Sequence, residues 1–230
     1  MKHRPFRLPD LYDQRRAAHS AQPSIQDIPS AYRLFFEQSM QALGPTASLF
    51  PSSRYLANAL IKPIDFRRAR TVVELGPGTG AVTNEILKRL RPDGTLFAVD
   101  INQTFIHHLR NTCHDPRLVP LCGSAADLRS LLAVHDVGSH NVAPVDAVVS
   151  SLGLTAMDNK TRTSILRQVG ACLVSTGTMT QYQYVGPLDI PKFKIRGFNE
   201  ARFLRRFFGD VSVGHVILNV PPALVFTCRK

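Results

Sequence analysis

The sequence predicts an α/β fold, a mostly parallel sheet with helices on both faces, and three observations carry that expectation. Thr71–Thr83 reads Thr-Val-Val-Glu-Leu-Gly-Pro-Gly-Thr-Gly-Ala-Val-Thr, a strand, a glycine-rich turn and the start of a helix. Thr95–Asp100 reads as a second strand that ends in a carboxylate. Beyond Asp100, strand-like and helix-like stretches alternate as far as Tyr184. Alternation of this kind is the signature of a parallel sheet wound with crossover helices.

Taken in order, residues 1–29 carry Pro5, Pro9, Pro23 and Pro29 among mixed charges and read as a loosely attached arm. Ser30 is placed to cap a helix from Ala31 to Leu43, with Tyr32, Phe35, Phe36, Met40 and Leu43 on one side. That stripe is either core or membrane anchor, and Gly44-Pro45 stops the helix. Ser52 or Ser53 then caps a second short helix. The expected organisation is an arm (1–29), a helical extension (30–70) and a ligand-binding domain (71–230).

Val72 and Val73 are β-branched and suit a buried strand, which Glu74 is expected to end. Gly76, Gly78 and Gly80 make the turn, and Ala81–Leu90 reads as a helix. The spacing is G-x-G-x-G, neither the dinucleotide pattern nor the phosphate loop, and no lysine follows. Asp100 follows Gly76 at about the 20-residue distance at which a strand-end acid grips a ribose diol. Together the turn and the acid point to an adenosine-type cofactor.

Gln103–Thr112 reads as a helix whose His107 and His108 lie on the surface, and nothing nearby completes a metal set, so no metal is expected. Arg117–Leu121 is a short strand, followed by Gly123-Ser-Ala-Ala-Asp127. Val145–Leu154 is a strand with an open end at Ser150–Gly153, where doubly wound sheets carry their ligands. Asp158–Leu173 is a helix and Thr178–Tyr184 a strand. From Gly186 to Asp210 aromatic and basic residues interleave: Phe193, Phe198, Phe203, Phe207 and Phe208 with Lys192, Lys194, Arg196, Arg202, Arg205 and Arg206. Val211–Val220 and Ala223–Arg229 close as a strand pair around Pro221-Pro222.

Composition sets the outer limits. The chain has 230 residues, 44% of them hydrophobic, with a net charge of +11 and a pI near 10.0. A basic balance this large fits nucleic acid or an anionic membrane surface. No apolar run is long enough to span a bilayer, and no apolar stretch follows Met1–Arg7, so no secretory leader is expected. Cys113, Cys122, Cys172 and Cys228 form no C-x-x-C and read as free thiols in a reducing cytosol.

Glu74-Leu-Gly-Pro-Gly-Thr-Gly, with Val82-Thr83 and then Val99-Asp100, resembles the class I S-adenosylmethionine-dependent methyltransferases. The resemblance covers about Thr71–Tyr184. It implies a Rossmann-like, seven-stranded, mostly parallel sheet with an antiparallel last hairpin and an N-terminal helical extension. It also implies S-adenosyl-L-methionine as cofactor. Glu74, Gly76, Gly78, Thr79 and Gly80 would face its methionine part, Asp100 the ribose hydroxyls, and Ile101, Ser124, Ala125 and Asp127 the adenosine end, with Ser150 bordering the methyl. The family usually has Gly-Asp-Ala after the third strand. Here Ser124 stands in the aspartate's place, so either Ser124 makes the adenine contact or Asp127 does, unless Asp127 caps its own helix.

Further features are similar to the bacterial phospholipid N-methyltransferases: Pro51-Ser-Ser before the glycine loop, Gln181-x-x-Tyr184, and Asn219-x-Pro-Pro-Ala. That likeness implies methylation of phosphatidylethanolamine and its mono- and dimethyl forms towards phosphatidylcholine, on the inner face of the cytoplasmic membrane. Tyr184, helped by Ser150 and Ser151, would orient the amine, and Ser52 and Ser53 would lie near the cofactor's methionine end or the substrate head group. Docking would run through Tyr32–Leu43 and Gly186–Phe208. Gly153 departs from that subfamily's proline. Alternatives are another amino lipid such as ornithine lipid, an RNA adenine N6-methyltransferase, or an inactive binding module. RNA is disfavoured because the strand tip at Ser150–Leu154 lacks the Asn-Pro-Pro-aromatic type of signature.

Overall fold

The computed structural model describes residues 51–134, 144–184, 193–219 and 222–230, with the backbone alone for 51–53 and 193–198. The expected arm and the helix over 31–43 lie outside the described residues. In chain order the elements are α1 (Pro51–Ile61), β1 (Thr71–Leu75), α2 (Ala81–Leu87), β2 (Thr95–Asp100), α3 (Gln103–Thr112) and β3 (Leu118–Cys122). A 3-10 turn (Ala125–Asp127) and α4 (Leu128–Ala133) follow, then β4 (Val145–Ser150), α5 (Asn159–Cys172), β5 (Leu173–Tyr184), α6 (Phe193–Leu204), β6 (Asp210–Val216) and β7 (Ala223–Arg229).

The seven strands form one sheet in the order β3-β2-β1-β4-β5-β7-β6. The first five are parallel, and β7 runs antiparallel to β5 and β6. Strands β1, β2 and β4 are buried on both faces, as central parallel strands with helices above and below must be. At the edges, β3 and β6 are only partly buried. Asp146 ties β4 to the entry of β1, its Oδ2 accepting from the amides of Arg70 (2.7 Å) and Thr71 (2.9 Å).

The sheet separates two apolar layers. One joins Val73, Phe97, Val148 and Phe226 to Leu128, Leu166 and Leu204 of α4, α5 and α6. The other joins Val72, Leu96, Ala98 and Val149 to Leu60, Ile86 and Leu109 of α1, α2 and α3. A buried ion pair between Arg162 of α5 and Glu200 of α6 holds those helices together.

Several boundaries differ from the sequence expectations. Glu74 does not end β1; it lies inside the strand and is fully buried. Ser52 and Ser53 fall within α1 rather than ahead of it. The helix after the glycine turn stops at Leu87, three residues early. Strand β5 begins at Leu173, directly after α5, and its pairing with β4 shifts register between Val145 and Ala147. All four cysteines are free. No helix among the described residues is long and apolar enough to cross a membrane.

Candidate active site

The five parallel strands end at one edge, and backbone bonds hold their tips together. The amide of Gly76 donates to Val99 O (2.9 Å), Ser151 to Leu75 O (2.8 Å) and Gly123 to Asp100 O (2.9 Å). Leu75, Asp100 and Ser150 therefore stand side by side, each followed at once by a loop. This is the carboxyl edge at which open α/β sheets bind ligands.

The glycine turn has the shape of a cradle. Gly76, Gly78 and Gly80 all take positive φ, 74°, 54° and 88°. At Gly80 a side chain would be strained and its Cβ would sit 2.8 Å from Leu109 Cδ2. Beside Gly78 there is open space: a Cβ built there meets nothing within 4 Å. That backbone is reachable by a ligand. Gly80 also precedes the first turn of α2, whose Thr83 turns its amide and its hydroxyl towards Glu74.

Two carboxylates flank the cradle. Thr83 of α2 donates its hydroxyl to Glu74 Oε2 at 2.6 Å, while Glu74 Oε1 has no partner among the described residues. Burial, with a smaller push from the charge of Asp100, raises the Glu74 pKa from 4.5 to about 8. Asp100 is 8% exposed. Its Oδ1 accepts from the amide of Asn102 at 2.8 Å, and burial raises its pKa as well. A buried carboxylate oxygen without a donor is costly. One such oxygen beside an open glycine backbone, with a second acid at the next strand tip, fits a ligand that carries an ammonium group and a diol.

A methyltransferase-domain family model matches residues 72–177. The ornithine lipid N-methyltransferase of Singulisphaera acidiphila is 30% identical over 184 residues, 80% of this chain and 88% of that protein. The chain belongs to the class I S-adenosylmethionine-dependent methyltransferases. A ribosomal RNA small subunit methyltransferase H of Halorhodospira halophila is 28% identical over 70% of this chain, which spans 44% of that protein. Among solved structures, a 1,6-didemethyltoxoflavin-N1-methyltransferase of Burkholderia thailandensis, with S-adenosylhomocysteine bound, has a TM-score of 0.61 at 16% identity over 100% of this chain and 93% of that one. The N-methyltransferase NodS of Bradyrhizobium japonicum, also with S-adenosylhomocysteine, has a TM-score of 0.58 at 11% identity over 88% and 99%.

The methyltransferase brings some of the expected residues together and separates others. By strand register, Glu74, Asp100, Thr180, Tyr182 and Tyr184 share the sheet face that carries α1, α2 and α3. Ser150 and Gln181 share the other face. Ser150 is fully buried, and its Oγ accepts from the amide of Leu152 at 3.4 Å. The sheet thus sets Ser150 and Tyr184 on opposite faces, against the expectation that they act side by side. Gln181 instead holds the loop after β4, its Nε2 donating to Leu152 O at 3.0 Å. Ser151 Oγ is buried with no partner among the described residues.

Beyond the tip of β3, Ser124 Oγ accepts from the amide of Ala126 (3.2 Å) and so caps the 3-10 turn. Asp127 is exposed and makes no side-chain cap for α4. Thr79 is exposed, whereas Ile101 and Ala125 are half-buried at the tips of β2 and β3. No group of three or more His, Cys, Asp or Glu side chains clusters among the described residues.

Tyr184 lies at the end of β5 and is half-buried. The side chains of Tyr182 and Asn219 hydrogen-bond to it, and burial nevertheless raises its pKa, so the phenol stays neutral. The Tyr182 and Tyr184 rings meet edge to face with centroids 4.9 Å apart. Sequence reasoning missed Thr83, Tyr182 and Asn219. Asn219-x-Pro-Pro-Ala was the one available signal for Asn219, since a buried asparagine beside two prolines marks a specified turn.

Of the basic segment expected to dock, residues 186–192 lie outside the described residues. Arg202 near the end of α6 and Arg205 and Arg206 just after it precede Asp210, which pairs through β7 with Thr178 at the level of Val72. That is the amino edge of the sheet. Arg205 Nη2 donates to Val211 O (3.0 Å), and Arg162 and Arg206 both lie over the Phe203 ring.

Proposed function

We propose that this methyltransferase N-methylates the amine head group of a membrane amino lipid, at the inner face of the cytoplasmic membrane. The observation that carries the reading is the likeness to an ornithine lipid N-methyltransferase across 80% of the chain. Ornithine lipid is therefore the first acceptor. Phosphatidylethanolamine, with its mono- and dimethyl forms, is the second, favoured by Gln181-x-x-Tyr184 and Asn219-x-Pro-Pro-Ala at the β5 and β7 tips. The net charge of +11 suits an anionic membrane surface.

In this reading Glu74 Oε1 receives the ammonium of the cofactor's methionine part, and Gly76, Gly78, Thr79 and Gly80 line its path. Asp100 takes the ribose hydroxyls, while Ile101, Ser124 and Ala125 border the adenine, with Asp127 at the rim. When bound, S-adenosylmethionine supplies an activated methyl group on a sulfonium. The chain's own task is placement: orientation alone can supply several kcal/mol, roughly 7–11 at the extreme. Tyr184, fixed by Tyr182 and Asn219, positions the acceptor amine on the face that carries Glu74 and Asp100. Ser150 and Ser151 act through the shape of the loop after β4. The amine must be neutral to attack, and withdrawal from water at a half-buried edge favours that form.

The proposal is tested with radiolabelled methyl donor and three acceptors offered separately: vesicles with ornithine lipid, vesicles with phosphatidylethanolamine, and RNA. Label is expected in a lipid, most in ornithine lipid. Label in RNA alone would contradict the proposal and favour the RNA alternative.

A further inference from the structure

The hairpin that joins β6 to β7 turns at the same sheet edge as the cofactor cradle. Strand β7 runs antiparallel to β5, and Val216 and Ala223 pair at the level of Tyr184. Directly beyond Val216, at that end of β6, Ile217 is 77% and Leu218 70% exposed and form an apolar apex. These are the two most exposed large hydrophobic side chains among the described residues. The next residue, Asn219, is 3% exposed and is hydrogen-bonded to Tyr184. The apolar apex is therefore built onto the residue proposed to position the amine.

We infer that Ile217 and Leu218 form a membrane-inserting wedge that seats the carboxyl edge of the sheet on the bilayer, an inference that rests on the amino-lipid reading above. Four observations favour a lipid surface as the occupant. The wedge stands on the edge where a lipid head group must enter. The hairpin segment Val211–Asn219 contains no Asp or Glu, so nothing there repels anionic head groups. On the sheet face that Tyr184 shares, α1 packs against β5, β6 and β7 and presents exposed Arg54 and Tyr55. A cation and an aromatic on that face suit the head-group region that an inserted apolar tip would lie under. The two apolar residues are consecutive and offer no groove, which suits a fluid bilayer better than a shaped protein partner. Arg202, Arg205 and Arg206, at the opposite edge, are not part of this surface.

The chain contains no tryptophan, so Leu218→Trp places a single tryptophan, excited selectively apart from the tyrosines, at the apex. With vesicles of phosphatidylglycerol and phosphatidylethanolamine, its emission is expected to shift to the blue and to be quenched by brominated acyl chains. In the full chain, Ile217→Asp/Leu218→Asp should lower vesicle binding roughly tenfold or more, because two buried aliphatic side chains become charges. Affinity for S-adenosylhomocysteine and turnover of a water-soluble short-chain amino-lipid analogue should stay within about twofold. A Leu218→Trp protein that sediments with vesicles without a spectral shift, or a double variant that still binds them fully, would overturn the wedge. A shift caused instead by the chain's own residues 1–50 would persist without vesicles and would overturn it too. Lipid methylation by a protein whose apex stays in water would sink the wedge and keep the acceptor. Apex insertion without label in any lipid would keep the wedge and remove the acceptor.

Discussion

At pH 9 the ligand-free Glu74→Gln variant is expected to be more stable than the wild-type protein, and at pH 5 to match it. Glu74 is wholly buried inside β1, with one oxygen bonded to Thr83 and the other without a partner among the described residues. Its pKa rises from 4.5 to about 8. An acid whose folded pKa is raised binds its proton more tightly in the folded state. Stability is then full below pH 4.5, falls as pH rises towards 8, and levels off above it. At about 1.4 kcal/mol per pH unit the loss reaches roughly 4–5 kcal/mol as an upper bound. Glutamine keeps the acceptor for Thr83 and carries no charge, so its curve lacks this slope. Thermal unfolding of both proteins from pH 5 to pH 9 measures the difference directly. Parallel curves would show that the Glu74 carboxylate is solvated, and the cradle would lose its buried acid. The same substitution should weaken binding of S-adenosylhomocysteine, because the amide cannot match a carboxylate's charge-assisted bond.

The second large effect belongs to Asp100. Replacing Asp100 with alanine is expected to raise the Kd for S-adenosylhomocysteine about 100-fold, the equivalent of roughly 3 kcal/mol for charge-assisted bonds to two hydroxyls. The fold should survive. The cap of α3 is Asn102, whose side chain bonds Thr104 N, and β2 keeps its pairing with β1 and β3. Calorimetric titration checks the affinity and a melting curve checks the fold. An unchanged Kd in a folded variant would show that the ribose is held elsewhere.

Much of this site was legible because its parts are local. A strand, three glycines in alternate positions and a strand-end acid are contiguous signals, and β2 and α3 fall at their expected limits. Glu74 was misread as a strand end because charge usually marks exposure. Its burial depends on Thr83, which reaches it only once α2 folds back over β1. Strand β5 was read short because its first part, Leu173–Gly177, holds two exposed positions and a glycine and joins β4 only through Leu173 and Val145, ahead of a register shift. The Tyr182–Tyr184–Asn219 cluster was invisible because Asn219 reaches Tyr184 only when the final hairpin closes. The alternation of sides along a strand also separates Ser150 from Tyr184, which proximity to one edge alone does not reveal.

The most direct test of methyl transfer to a lipid amine is mass spectrometry of a whole-membrane extract incubated with the protein and a methyl donor bearing deuterated methyl. Deuterated methyl groups are expected on the nitrogen of ornithine lipid or phosphatidylethanolamine, and to vanish with Asp100→Ala. Deuterium confined to RNA or to water-soluble amines, with the lipids unlabelled, would contradict it.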